Sequence, residues 1–484
     1  MSASTHDGAA PVSTGDFSAD ARRAIADEQL QTVLSRFSRV SPASRAETIS
    51  RLPEFELLRD AGKAIKDHAL ANLDVYLEQF EAAVTEAGGQ VHWCRDAAEA
   101  RATVLQLCRD VGARTVTKSK SMATEEIGLN DYLEEHGIEP VETDLGEYII
   151  QLRKEPPSHI IMPAIHLNRQ QVADTFRAAH DHLPPGRKLE EPRIMLDEAR
   201  EELRSRFLGA DVGMTGANML IAETGSIVVV TNEGNADLTM TLPKTHIAVS
   251  TIEKIVPTLD DAMTVLRLLA RSATGQDITV YSSFVTGPKR AADPDGPETF
   301  HMVLIDNGRS AMFDGGFRDM LRCIRCGSCM NHCPVYTTVG GHAYNSMYEG
   351  PMGSVLTPGL RGLASAGDLP NASTLCGKCE TVCPMKIPLP QLLRRWRQRQ
   401  HDARLNKPAQ RWGLGVWSFL ARRAWLYRIV SRLGAVALRV GAKGRGRLGR
   451  WPLAGGWTAA RDLAAPSSSG GETFMAAWRR GQRR

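Results

Sequence analysis

Cys323-Ile-Arg-Cys326-Gly-Ser-Cys329-Met-Asn-His-Cys333-Pro334 is the stretch whose reading decides the fold around it. Three thiols recur at intervals of three, and a fourth stands four residues further on, before a proline. That spacing matches the C-x-x-C-x-x-C-x-x-x-C-P run of bacterial two-cluster ferredoxins. Intervals of three let a tight loop wrap a cubane and offer each thiolate to a different iron. Gly327 permits close approach of the backbone, whose N–H groups can donate to cluster sulfurs. Pro334 ends the local turn, and Cys333 is directed toward a second cluster.

A second motif, Cys376-Gly-Lys-Cys379-Glu-Thr-Val-Cys383-Pro384, has one cysteine fewer. The crosswise rule assigns Cys323, Cys326, Cys329 and Cys383 to one complete [4Fe–4S] cluster. Cys333, Cys376 and Cys379 are left for a second, which is either [3Fe–4S] or a [4Fe–4S] cluster with a non-cysteine fourth ligand. Zinc is the competing metal, since C-x-x-C pairs also bind it tetrahedrally; zinc sites seldom use three cysteines at consecutive x-x intervals with two C-P endings. His332, beside Cys333, reads as a surface residue. The 42 residues between Cys333 and Cys376 exceed the link of a small ferredoxin. With helical character expected over Ala343–Tyr348, they indicate the α-helical ferredoxin-like dicluster fold, as in iron–sulfur subunits of membrane dehydrogenases.

Working outward, 484 residues imply more than one domain. Seven of nine cysteines fall within 61 residues, a distribution that points to metal and not to a disulfide framework. Cys94 and Cys108 read as buried, inert thiols. The N-terminus lacks the basic start and apolar stretch of a secretory signal, and no apolar run is long enough to span a bilayer, so a cytoplasmic location is expected. The net charge of +4 hides an asymmetry. Residues 391–484 hold 21 Lys plus Arg against three acids, a charge of +18, which leaves −14 for the rest. Seven of the eight tryptophans also lie there.

Five stretches are expected: a mobile arm over residues 1–20, helices over 21–88, an α/β domain over 89–306, the dicluster domain over 307–390 and a basic, Trp-rich tail over 391–484. No internal repeat occurs at solenoid periods. In the α/β part, helices are expected over Ala97–Val111, Glu125–Glu135, Asn168–His180 and Leu259–Ala270. Strands are expected over Gln90–Cys94, Thr115–Thr117, His159–Met162, Ser226–Thr231, Ile247–Val249, Ile278–Tyr281 and Phe300–Ile305, with a further one at Ile221. This alternation argues for a layered domain with a largely parallel sheet.

Between residues 118 and 286 several runs resemble the LUD domain of lactate-utilisation proteins. They are Lys118-Ser-Lys-Ser-Met122, Glu142-Thr-Asp-Leu-Gly-Glu147, Pro163-Ala-Ile-His166, Gly213-Met-Thr-Gly-Ala-Asn218, Glu223-Thr-Gly-Ser226, Thr231-Asn-Glu-Gly-Asn235, His246 and Arg271-Ser-Ala-Thr-Gly-Gln276. With the dicluster segment, residues 21–390 resemble the lactate-utilisation B family. The resemblance implies a fold of the sugar-isomerase and CoA-transferase kind and an electron-transfer role in oxidising L-lactate to pyruvate. It also implies partner subunits, a cysteine-rich redox protein and a second LUD protein. The competing functions are an acyl- or CoA-handling LUD enzyme with clusters in redox control, and a redox-sensing scaffold; fold analogy is weak evidence of activity.

On their own physics these runs say less. Lys118 and Lys120, between a strand and a helix, could meet a carboxylate or phosphate, or be merely solvated. Glu142, Asp144, Glu147 and Glu223 could serve acid–base work, though Asp144 and Glu223 also suit capping of turns around Gly146 and Gly225. His166 and His246 read as satisfied polar residues, and no catalytic residue is assigned. There is no G-x-G-x-x-G after a strand, so a nicotinamide site lacks support. In the tail, Trp417, Leu420, Trp425, Ile429 and Leu433 form an apolar stripe flanked by Arg422, Arg423, Arg428 and Arg432. Such a helix suits an acidic partner or weak contact with an anionic membrane surface, placing the protein peripherally at the inner face of the membrane; no nucleic-acid reader motif accompanies it.

Overall fold

A computed structural model describes residues 15–119, 121–442, 447–448, 463–464 and 474–481. The chain separates into two compact units, Met1–Arg399 and Gln400–Arg484.

The first unit begins with four helices, α1 (Phe17–Ala26), α2 (Glu28–Ser50), α3 (Phe55–Ala71) and α4 (Leu73–Glu86). Asp16 and Asp27 cap the first two by accepting the N–H groups of Ser18 and Leu30. The arm expected over residues 1–20 is therefore helical from Phe17; residues 1–14 lie outside the described part. The apolar face Leu70–Leu73–Tyr76–Leu77 straddles a break at Asn72, whose side chain donates to the His68 carbonyl at 2.9 Å.

Ten strands follow: β1 (Gln90–Cys94), β2 (Thr115–Lys118), β3 (Glu139–Glu142), β4 (Val212–Gly216), β5 (Met219–Ile221), β6 (Ser226–Thr231), β7 (Thr245–Thr251), β8 (Ile255–Val256), β9 (Tyr281–Val285) and β10 (Thr299–Ile305). Six form a wholly parallel sheet in the order β1-β10-β7-β4-β2-β3. The other four form a mixed sheet in the order β8-β5-β6-β9. Period-two alternation divides the parallel sheet's side chains between two cores. Val212, Ile247, Val249, Val303 and Ile305 pack with Val104, Cys108 and Leu133. Ala248, Phe300, Met302 and Leu304 pack with Leu77, Phe80 and Val84 of α4. Each large side chain so buried contributes about 1.5–3 kcal/mol. In the β5–β6 hairpin Gly225 sits at φ +65°, and a Cβ there would lie 2.5 Å from the Val84 nitrogen.

Several local expectations change. His159–Met162 is a turn and not a strand, because His159 Nδ1 accepts the Ile161 and Met162 N–H groups at 2.9 and 3.1 Å, donors a ladder would need. The Glu125–Glu135 helix is two, Met122–Glu126 and Leu129–Glu135, interrupted by Gly128 at φ +62°. The strand expected over Ile278–Tyr281 shifts to Tyr281–Val285, since the Val280 N–H is taken by the Asn232 side chain. Strand β3 and the helices Leu145–Arg153 and Pro192–Leu208 carry no strong sequence signal. Ala343–Tyr348 is not a helix. A single 3-10 turn, His342–Tyr344, stops where Asn345 turns left-handed at φ +46°, and the helix of this region is Gly350–Arg361.

The site sits where the N-terminal helices meet the cysteine segment. One core joins Phe37 of α2, Leu52 of the link after it, and Phe55 and Leu70 of α3 to Met320, Met330, Tyr336, Tyr344, Val355 and Leu393. Cys329, Cys333, Cys379 and Cys383 lie in that same core. The helix Leu389–Asp402 closes it: Trp396 stacks on Phe317 with ring centroids 3.8 Å apart and donates to the Val355 carbonyl.

In the second unit the stripe expected over 414–440 is divided between two helices, Pro408–Ala421 and Ala424–Gly441, with Arg422 and Arg423 between them. Neither helix buries a residue, and Trp412, Trp417, Trp425 and Leu433 are exposed. Trp451 and Trp457 lie outside the described residues. Among the described residues no helix is long and apolar enough to cross a membrane.

Candidate metal centre

Both cysteine motifs fold alike. Gly327 and Gly377, each left-handed, start the short helices Ser328–Asn331 and Lys378–Val382. These two helices pack against each other, which brings the motifs together although Cys333 and Cys376 are far apart in sequence.

The thiols fall into two neighbourhoods. Burial pushes Cys326, Cys329, Cys333, Cys379 and Cys383 up, Cys379 to about 12 and Cys383 to about 11. Neighbouring thiols add to the rise, and they show which cysteines are near one another. Cys326 feels Cys383 and Cys323; Cys329 feels Cys323, Cys326 and Cys383; Cys383 feels Cys323. Separately, Cys333 feels Cys376, and Cys379 feels Cys333 and Cys376. Cys329 and Cys379 are the link between the two groups. Cys376 is exposed, and the Lys378 N–H holds its thiol below the ordinary value. Among the described residues no three His, Cys, Asp or Glu side chains converge on a single-ion site. Thiolates around a cubane each address a different iron and need no such convergence.

The chemistry of these donors fits iron–sulfur clusters. Buried thiols with raised pKa values are costly to ionise alone, and cluster iron supplies the positive charge that favours thiolate. The sulfurs also accept backbone N–H groups from two residues onward: Cys326 from Ser328, Cys333 from Val335, Cys376 from Lys378 and Cys383 from Met385. Such donors stabilise negative charge on sulfur.

Four cations surround the first group, Arg59, Lys66 and Arg325 buried and Arg45 part-buried, and the sequence reading singled out none of them. Arg59 donates to the Cys383 carbonyl at 2.7 and 3.1 Å, and Arg45 to the Val382 carbonyl at 2.8 Å. Arg325 pairs with Glu253 at 2.9 Å, and Lys66 is hydrogen-bonded to the carbonyls of Glu253 and Ile255. Glu253 also holds Arg309, which grips Glu126 at 2.6 Å, and Tyr348 donates to the same carboxylate. Despite burial, Arg309 keeps the Glu126 carboxyl down at about 2, whereas burial pulls Lys66 down to about 8. A ladder of alternating charges thus runs from Glu126 through Arg309 and Glu253 to Arg325, which precedes Cys326.

The other candidates resolve less dramatically. Lys118 is not available to an outside anion: it is fully buried and paired with Glu142 at 2.6 Å and Glu125 at 2.9 Å. Lys120 lies outside the described residues. Asp144 caps the helix Leu145–Arg153, and Glu223 accepts the Leu259 N–H. Glu147 is buried. His246 bonds Thr215 at 2.8 Å, and His166 lies between Ser158 and Glu155. His332 bonds the Ser328 carbonyl. Cys94 and Cys108 are buried, and burial raises Cys108 to about 12. His159 carried no signal as a site residue. It bonds Asn331 at 2.8 Å, and a Cβ on Gly327 would lie 3.2 Å from its ring, so it braces the first cysteine loop.

Comparison with known proteins agrees with this geometry. The LUD domain matches residues 77–305, and a 4Fe-4S dicluster domain matches residues 319–387. The uncharacterized electron transport protein YkgF of Escherichia coli is 41% identical over 474 residues, covering 97% of this chain and 98% of its own. Lactate utilization protein B of Lysinibacillus sphaericus is 42% identical over 93% of this chain and 94% of its own. Its counterpart in Bacillus cytotoxicus is 44% identical over 88% and 89%. A LUD domain followed by an iron–sulfur dicluster domain, matched end to end at this identity, makes the chain a member of the lactate utilization protein B family.

Proposed function

We propose that this chain relays single electrons between two iron–sulfur clusters, as one component of a system that oxidises L-lactate to pyruvate. The observation that carries the reading is the crossing of the motifs: Cys383 lies with Cys323, Cys326 and Cys329, and Cys333 lies with Cys376 and Cys379. The first set holds a [4Fe–4S] cluster; the second holds either a [4Fe–4S] or a [3Fe–4S] cluster. When bound, such clusters take and give one electron at a time, which suits a two-electron oxidation performed by a partner. The residues around them do the rest. Backbone N–H groups and buried cations stabilise the anionic sulfur ligands, and the apolar core excludes water. Exposed Cys376 makes the second set the side on which electrons exchange with other components.

Lactate enters this reading through relatives named for its utilization. The partners proposed are a cysteine-rich redox protein and a second LUD protein. The basic tail is proposed to dock on an acidic partner or on the anionic inner face of the cytoplasmic membrane. Anaerobic EPR on the purified holoprotein tests the relay. Cys326→Ala should remove one cluster signal and Cys379→Ala the other, and lactate should reduce either cluster only when the partner components are present. Lactate turnover by the isolated chain would overturn the carrier role.

A further inference from the structure

The two motifs align at an offset of 50 residues. Cys326, Cys329, Cys333 and Pro334 map onto Cys376, Cys379, Cys383 and Pro384. The backbone repeats as well. Arg325 and Leu375 are left-handed at φ +58° and +55°, and the glycines that follow the next cysteine are at +68° and +84°. The hydrogen bonds Met330 N–H to Gly327 O and Cys333 N–H to Met330 O recur as Glu380 N–H to Gly377 O and Cys383 N–H to Glu380 O. A 3-10 turn precedes each motif, Arg318–Arg322 and Leu369–Asn371. Under this offset the place of Cys323 is taken by Ser373.

Ser373 shares a local backbone contact with four of the seven cysteines. Its Oγ accepts the N–H of Leu375, two residues onward, at 3.1 Å. Cys326, Cys333, Cys376 and Cys383 accept the same i+2 donor. Its carbonyl is held by Arg397 at 2.8 Å, so the backbone there is anchored to the helix Leu389–Asp402. A serine oxygen is a harder donor than a thiolate, but with its proton removed it is an anionic ligand for iron.

We propose that Ser373 Oγ is the fourth ligand of the second cluster, completing the three thiolates of Cys333, Cys376 and Cys379 and making it [4Fe–4S]. Binding releases the hydroxyl proton to solvent and moves no electron. An oxygen donor at one iron also sets this cluster apart from the first, which has four sulfurs. This inference rests on the cluster assignment proposed above.

Mössbauer and EPR spectra of the anaerobically purified, full-length holoprotein test it, with iron counted per chain. The wild type is expected to hold two four-iron clusters. Ser373→Ala is expected to lose one iron per chain and to gain a [3Fe–4S] signal, leaving the first cluster unchanged. Ser373→Cys, which keeps a ligand in the same seat and so guards against a folding artefact, is expected to retain that iron with an altered spectrum of the second cluster only. Three results would overturn the proposal: a wild type that is [3Fe–4S] and takes up no ferrous iron, a Ser373→Ala protein with unaltered iron and spectra, or loss of the iron in Thr374→Ala instead. Cys379→Ala separates the two levels. If it leaves both cluster signals intact, the underlying assignment falls; if it removes one while Ser373→Ala changes nothing, only the serine ligand falls.

Discussion

Arg325 and Lys66 occupy positions where a single charge has leverage. Both are buried, and the charge of Cys323 acts on both. Reduction adds negative charge to a cluster, so a nearby buried cation favours the reduced state more than water would. Arg325→Gln and Lys66→Met are therefore expected to lower the potential of the first cluster by on the order of tens of millivolts, with the second little changed. Spectroelectrochemical titration followed by EPR reads this directly. His246 makes a different statement. It is buried in the parallel sheet, and burial holds its imidazole down at about 3 against an ordinary 6.5. Its unfolded form takes a proton below pH 6.5 and its folded form does not. Stability is thus fully present above 6.5 and falls as the pH drops toward 3, by about 1.4 kcal/mol per unit. His246→Gln is expected to flatten that part of the slope between pH 7 and 5 in thermal melts, at the cost of a lower plateau.

At the scale of elements, the helix Leu389–Asp402 and the N-terminal helices matter most, because the cysteine loops have little regular structure of their own. Arg45 on α2 and Arg59 on α3 hold carbonyls of the second motif, while Trp396 seals the far side. Trp396→Ala removes a buried ring stack and a hydrogen bond, and is expected to cost about 3–5 kcal/mol. Denaturant titration should report that loss, and the variant should release iron to a chelator faster than the wild type. The sequence pattern found the N-terminal helices but not their task, and it missed the helix Leu389–Asp402, dividing that stretch between the dicluster domain and the tail. Apolar spacing reveals that a face is buried, whereas the partner of that face is chosen by contacts remote in the chain.

For the molecule as a whole, charge is divided between an acidic body and a basic tail. The tail's helices expose Trp412, Trp417, Trp425 and Leu433 beside arginines, a combination that pairs apolar insertion with electrostatic attraction. The holoprotein is expected to cosediment with vesicles containing anionic lipid, to release them as salt is raised, and to bind less after Trp417→Ala plus Trp425→Ala. Its cluster spectra should not change. Equal binding to neutral vesicles, or binding indifferent to salt, would leave apolar insertion alone as the cause, and no binding to either vesicle would argue for an acidic protein partner instead.

By itself the sequence determined the clustering of seven cysteines in two motifs, the alternation of strand and helix, and the charge division, because each of these is written in local spacing and composition. Cysteine intervals of three and a strand's period of two survive without any knowledge of what lies opposite. Tertiary structure decided the rest. Lys118 looked like an anion site beside a helix start, but Glu142 and Glu125 come from other turns of the chain to neutralise it. His159–Met162 looked like a strand until the His159 ring claimed its N–H groups. The cations around the first cysteine set come from residues 45, 59, 66 and 325, and a charge drawn out of water becomes intelligible only once its partner from a distant segment is in place.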